Sequence, residues 1–234
     1  MDAIPHNLQA VHARIVAAAR SAGRDPSTVH LLAVSKTFDA AAVLAAARAG
    51  QLAFGESYLQ EALDKIARIA AMPAAPRLEW HFIGPLQSNK TRPVAEHFDW
   101  VHALDREKIA QRLSAQRPPQ LAPLNVCLQV NISGEASKSG VAPADLPALA
   151  HAVAALPGLR LRGLMALPAP APELAAQRRP FAQLRQLAQD LQRQGLDMDT
   201  LSMGMSADLE AAILEGATMV RIGSAIFGQR NYEQ

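Results

Sequence analysis

Short apolar runs, too brief for helices, recur along this chain, and a stretch with helical spacing follows each of them. The runs are HLLAVS (30–35), AFG (53–55), WHFI (80–83), WVHA (100–103), NVCLQVN (125–131), LRLRGLM (159–165), TLSM (200–203) and MVRI (219–222). Between them the spacing predicts helices over 39–49, 57–70, 87–97, 106–116, 143–155, 174–194 and 206–216, and a short helical turn closes the series. An extra helix over 3–22 precedes the first run, because Ile4, Leu8, Val11, Ile15 and Ala18/Ala19 keep a period near 3.6. Short apolar strands joined through helices pair in parallel by right-handed crossovers. Strand–helix units repeating roughly every 25 residues over 234 residues match the roughly 250 residues typical of a (β/α)₈ barrel. The expected fold is therefore α/β, a (β/α)₈ TIM barrel with an added N-terminal helix. A doubly wound open sheet satisfies the same alternation, and strand counting does not separate the two. The Pro/Ala run 168–172 is too short to divide domains, so one domain is expected over 1–234.

Composition narrows the function classes. Hydrophobic residues make up 50%, ample for a core, and 23 basic against 21 acidic residues leave +2 with no block of like charge. Nothing there resembles a nucleic-acid footprint. A single cysteine, Cys127, excludes an internal disulfide and any multi-cysteine metal site. The N-terminus lacks the basic start and apolar run of a signal peptide. The longest uncharged stretch, 118–134, carries three prolines, so no membrane span is expected. These readings point to a soluble cytoplasmic protein.

In a barrel of this kind, chemistry sits on the loops that follow the strands. Lys36 leaves the first apolar strand directly. A buried ammonium is costly, and a lysine so placed can act as an amine nucleophile or Schiff-base former. A strand-end lysine pointing to solvent is the plainer alternative. Gly55-Glu56-Ser57-Tyr58 follows the second strand. His81 alternates with Trp80 and Phe82 and so faces the barrel interior, where a histidine more often makes structural hydrogen bonds than does chemistry. After the last two strands come Ser202-Met203-Gly204-Met205-Ser206, expected to open a helix at Ala207-Asp208, and Arg221-Ile222-Gly223-Ser224. Paired Gly/Ser turns at helix starts suit a phosphate, although each also reads as an ordinary cap. An amine across the mouth from a phosphate site fits pyridoxal 5'-phosphate, which uses both.

The segments LLAVSKT (31–37), FGESYLQEA (54–62), WHFIGPLQSNK (80–90), VNISGEASKSG (130–140), GLMALP (163–168) and LSMGMSADLEAAILEGATMVRIGSAIFG (201–228) together resemble the pyridoxal phosphate homeostasis protein family. Its members are single-domain relatives of the alanine racemase barrel. The resemblance implies pyridoxal 5'-phosphate held as a Schiff base on Lys36, with Ser206, Gly223 and Ser224 on the phosphate and Arg221 facing the pyridine nitrogen. Ser57, His81 and Met165 complete the implied cofactor contacts. Ser57 stands where the family usually has Asn; Ser224 stands for the commoner Thr and keeps the hydroxyl.

The resemblance also implies a role in buffering the cofactor and balancing vitamin B6 and amino-acid pools, with no robust catalysis, no catalytic residue and no metal. Pyridoxal phosphate would be the ligand, apo-enzymes that need it the recipients, and the protein a monomer. An arginine beside the ring nitrogen keeps that nitrogen unprotonated and the ring a poor electron sink. Neither Tyr58 nor Tyr232 is an obvious second base. A racemase or related amino-acid enzyme using the same Schiff base is the alternative. A cofactor-free aldolase holding a sugar phosphate is a third reading, which an absence of visible absorbance would favour.

Overall fold

In the computed structural model, which describes residues 3–134 and 139–229, the eight apolar runs close into one parallel barrel in chain order. The strands are β1 (His30–Val34), β2 (Ala53–Glu56), β3 (Glu79–Phe82), β4 (Trp100–Leu104), β5 (Leu124–Gln129), β6 (Leu159–Met165), β7 (Thr200–Ser202) and β8 (Met219–Ile222). β1 pairs with both β2 and β8, so the sheet has no edge and the open-sheet alternative falls away. Around it lie α1 (Ala3–Ser21), α2 (Ala40–Arg48), α3 (Leu59–Ala70), α4 (Thr91–His97), α5 (Glu107–Gln116), α6 (Leu146–Ala154), α7 (Leu174–Arg193), α8 (Leu209–Leu214) and α9 (Ser224–Phe227). No helix among the described residues is long and apolar enough to cross a membrane.

Boundaries differ from expectation where local chemistry intervenes. The helix expected from 87 begins as a 3₁₀ turn, Ser88–Lys90, and becomes α-helical at Thr91. Pro93 has no N–H to donate, so it must fall within the first α-helical turn. The helix expected from 206 starts at Leu209 instead, because the Asp208 carboxylate accepts the Met205 N–H at 2.6 Å and holds 206–208 in a separate turn. The fifth strand stops at Gln129, and Val130 makes only an isolated bridge to Val141.

The apolar mass divides into two layers. Most of it, including Phe54, Phe98 and Phe181, fills the space between strands and helices. Inside the barrel, Trp100, Ala103, Cys127 and Met165 form a separate small cluster. α1 packs outside the barrel against α8 and α9. Arg14 of α1 donates to Glu210 (2.9 Å) and to the Ser206 carbonyl (3.0 Å), while Asn7 donates to the Ile226 carbonyl (2.9 Å). One added helix thus braces the segments that follow both β7 and β8.

Candidate active-site mouth

Lys36 is presented by a fixed turn. Just before it, Ser35 is fully buried and its hydroxyl donates to Glu56 (2.6 Å). The buried Lys65 ammonium donates to the Ser35 carbonyl (3.0 Å) and to the same Glu56 oxygen (2.6 Å). Burial pushes the Glu56 carboxyl up from its ordinary range, and Lys65 pulls it back part of the way. Just after it, Thr37 adopts a left-handed φ of 70°, with its N–H bound to Glu61 at 2.7 Å. A β-branched residue there stores on the order of 1–3 kcal/mol of strain, so the surrounding bonds must over-determine the turn. The result is a half-buried Lys36 whose Nζ lies 6.0 Å from the centre of the Tyr58 ring.

The opposite wall comes from the ends of β7 and β8. Gly204 has φ 95°, and a Cβ there would lie 2.5 Å from Ala212 Cβ, so only glycine fits. Its carbonyl accepts the Arg221 N–H (2.9 Å), tying the loop after β7 to β8. Ser206 lies in the turn before α8, and Gly223 caps the start of α9, its carbonyl accepting the Ile226 (2.9 Å) and Phe227 (3.0 Å) N–H groups.

These walls enclose a cavity of about 650 Å³ lined by Lys36, Ser57, Ser206, Arg221, Gly223 and Ser224, with Ile83 and Leu167 as apolar sides. Among the described residues, no carboxylate lines it. Arg221 is buried, and its guanidinium donates to Ser202 Oγ (2.8 Å) and the Ala166 carbonyl (2.9 Å). Burial pushes Arg221 down to about 10, with Asp208 opposing, so it remains a cation at neutral pH. An amine, a guanidinium, hydroxyls and a glycine turn around one cavity suit an anion with an amine-reactive carbon. The donor set therefore fits pyridoxal phosphate. Among the described residues no cluster of His, Cys, Asp or Glu is placed to hold a metal.

His81 and Met165 do not line this cavity. Met165 lies fully buried in the interior apolar cluster. His81 is fully buried beneath the cavity, stacked on Trp100 with ring centres 5.2 Å apart. Its Nδ1 is 2.8 Å from His102 Nε2, its Nε2 is 2.7 Å from Glu79 Oε1, and His102 Nδ1 is 2.8 Å from Ser202 Oγ. Burial lowers the pKa of both histidines, that of His102 well below 6.5. Sequence reasoning missed His102, Lys65 and Arg14, and read Ser202 as part of the turn after β7, whereas it closes that strand and bonds His102 and Arg221 in the interior. His102 had a signal, since WVHA sets it in the interior phase of its strand as WHFI does His81. Tyr58 stands beside Lys36, closer to the chemistry than its sequence suggested, whereas Tyr232 and residues 135–138 lie outside the described residues.

Residues 2–231 match the family described as alanine racemase, N-terminal domain. The chain is 67% identical over 232 residues to a pyridoxal phosphate homeostasis protein of Pseudomonas aeruginosa, covering 99% of this chain and 98% of that protein. It is 55% identical to the protein of the same name from Escherichia coli K12, covering 100% of each. Among solved structures it is similar to PipY of Synechococcus elongatus with pyridoxal phosphate bound: 40% identity, TM-score 0.79, 93% of this chain and 100% of that one. An alanine racemase from Corynebacterium glutamicum shares the fold at 21% identity and TM-score 0.66, covering 99% of this chain and 62% of the racemase.

Proposed function

The chain belongs to the alanine racemase N-terminal domain family, among its pyridoxal phosphate homeostasis proteins, and from that membership we propose that it binds pyridoxal 5'-phosphate through Lys36 and buffers it for other proteins. The observation that carries this reading is the cavity itself, where Lys36, Arg221, Ser206 and Ser224 converge. When bound, the group supplies an aldehyde that condenses with a primary amine, releasing water, and an aromatic ring that can withdraw electrons. Lys36 provides the amine. Ser206, Ser224 and the backbone beside Gly223 would hold the phosphate, with Arg14 and Asn7 bracing those loops from α1. Ser57 is a wall residue whose short hydroxyl replaces a longer amide, and His81 and Met165 support the floor.

Arg221 favours a carrier over a catalyst. Even with its pKa lowered to about 10, the guanidinium keeps its proton at neutral pH, so a ring nitrogen facing it accepts a hydrogen bond without being protonated. Apo-enzymes that use the cofactor are the proposed recipients, and a monomer with an open mouth is the form that would serve them. The test is an absorbance spectrum with borohydride trapping. The parent protein should show a visible band and a reduced adduct on Lys36, and Lys36→Ala should lose both. An adduct on another lysine would overturn the assignment. Racemisation of an L-amino acid by the loaded protein at enzymatic rates would overturn the carrier role.

A further inference from the structure

The polar groups inside the barrel form one continuous string from the cofactor cavity to the opposite mouth. Its links are Arg221 Nη1 to Ser202 Oγ (2.8 Å), Ser202 Oγ to His102 Nδ1 (2.8 Å), His102 Nε2 to His81 Nδ1 (2.8 Å) and His81 Nε2 to Glu79 Oε1 (2.7 Å). Four strands supply it: β8, β7, β4 and β3. Both imidazoles and Ser202 are fully buried, whereas the Glu79 side chain is 49% exposed and reaches the lower cavity.

Hydrogen-bond chemistry allows the string one polarity. A carboxylate only accepts, so His81 donates from Nε2; with both histidines neutral, its Nδ1 must then accept. His102 therefore donates from Nε2 and accepts at Nδ1. Ser202 fills that Nδ1 with its single proton and turns a lone pair to Arg221, which can only donate. Every donor points from Arg221 toward Glu79. A closed, uniformly polarised chain of this kind strengthens link by link in a low-dielectric interior. Ordinary core satisfaction would not require the chain to end on a solvent-accessible acid.

Resting on the pyridoxal phosphate reading, we propose that Glu79, His81, His102 and Ser202 are positioning residues for Arg221: a one-way string that orients the guanidinium toward the cofactor cavity and makes it answer to the charge on Glu79 at the opposite mouth. With Glu79 ionised, the acceptor end is anionic and the polarity is fixed. With Glu79 protonated, the terminal acceptor is neutral and the pull on Ser202 and Arg221 relaxes. Other charges face the same groups. Asp99 lies near His81, and Arg162 acts on Glu79. Cys127 and Asp208 act on Arg221. Asp199, His12 and His30 share the lower cavity with Glu79. Only Glu79 joins the string directly.

Two measurements decide it. In cofactor-free protein labelled with ¹⁵N at histidine and arginine, His81 and His102 should both be neutral and protonated at Nε2. The Arg221 guanidinium resonance should move as pH falls through the Glu79 transition, and stay fixed in Glu79→Gln and in Ser202→Ala. In protein loaded with pyridoxal phosphate, the cofactor band should follow the same transition and lose it in Glu79→Gln. Glu79 is half exposed, so this substitution should leave the fold and the Lys36 adduct intact. An Nδ1-protonated ring, or an Arg221 titration identical in all three proteins, overturns the string. Failure to take up pyridoxal phosphate would sink the carrier reading alone, because the cofactor-free resonances still report on the string.

Discussion

The two mouths of this barrel hold cavities of similar size and opposite chemistry. The lower one is the larger, about 770 Å³ against about 650 Å³, so volume does not pick out the site. At the lower mouth the charges answer one another: Arg162 makes paired bonds to Asp199 (2.9 and 2.6 Å), donates to Asn125 (3.0 Å) and lies over Trp100. At the upper mouth Lys36 and Arg221 face a cavity with no acid among its described lining residues, and Arg221 donates to the Ser202 hydroxyl and the Ala166 carbonyl. A mouth whose charges pair with one another is built for stability, and one that gathers an amine, a guanidinium, hydroxyls and a glycine turn around a cavity is built for an anion.

The largest effect expected concerns the interior that joins the mouths. His81 and His102 are buried neutral, so each has a folded pKa below its unfolded value of about 6.5. As pH falls below about 6.5 the unfolded chain takes up protons that the folded chain refuses, and stability drops. The slope is about 1.4 kcal/mol per pH unit for each histidine until its folded pKa is reached. Glu56, raised by burial, works in the opposite sense. Urea unfolding between pH 6.5 and 5 should show the loss, and His102→Gln should remove about one proton from the slope. An unchanged slope would mean that these imidazoles are not buried neutral, and the contrast between mouths would lose its connecting element.

At the upper mouth the expected effect is smaller and specific to the ligand. A hydrogen bond to a charged acceptor contributes about 1.5–3 kcal/mol and a neutral one about 1 kcal/mol. Ser206→Ala and Ser224→Ala should therefore each weaken pyridoxal phosphate binding roughly tenfold, leave the Lys36 adduct in place, and not alter binding of pyridoxal lacking its phosphate. Equilibrium dialysis with the two forms checks this. Equal weakening of both would move the serine off the phosphate.

How much of this contrast was legible in the sequence depends on the reach of each interaction. Lys36 and the Gly223-Ser224 turn were readable because strand phase and turn chemistry are local. The start of α8 was misplaced by three residues, since a single Asp208 bond to the Met205 N–H sets it. In the floor, strand phase put His81 in the interior, but the contacts were not readable. His102 meets Ser202 across 100 positions and Arg14 meets Ser206 across 192, distances that no periodicity encodes. Lys65 gave no sign of burial either, because its partner Glu56 sits on another element and its neighbours along α3 read as an ordinary amphipathic helix.

The smallest effect belongs to the lower mouth, and it sharpens the comparison by being small. The Arg162–Asp199 pair has good geometry, but Asp199 is half exposed, with 53% of its side chain accessible. Water screens such pairs, which contribute roughly 0–1 kcal/mol. Asp199→Asn keeps the shape and one acceptor for Arg162, so it should lower stability by less than about 1 kcal/mol. It should leave pyridoxal phosphate affinity and the Lys36 adduct unchanged, because no group of the upper cavity touches it. Urea midpoints and dialysis on the same preparation measure both quantities. A loss of affinity comparable to that of Ser206→Ala would show that the lower mouth takes part in holding the ligand, and the division of the barrel into a self-neutralised end and an anion-binding end would fail.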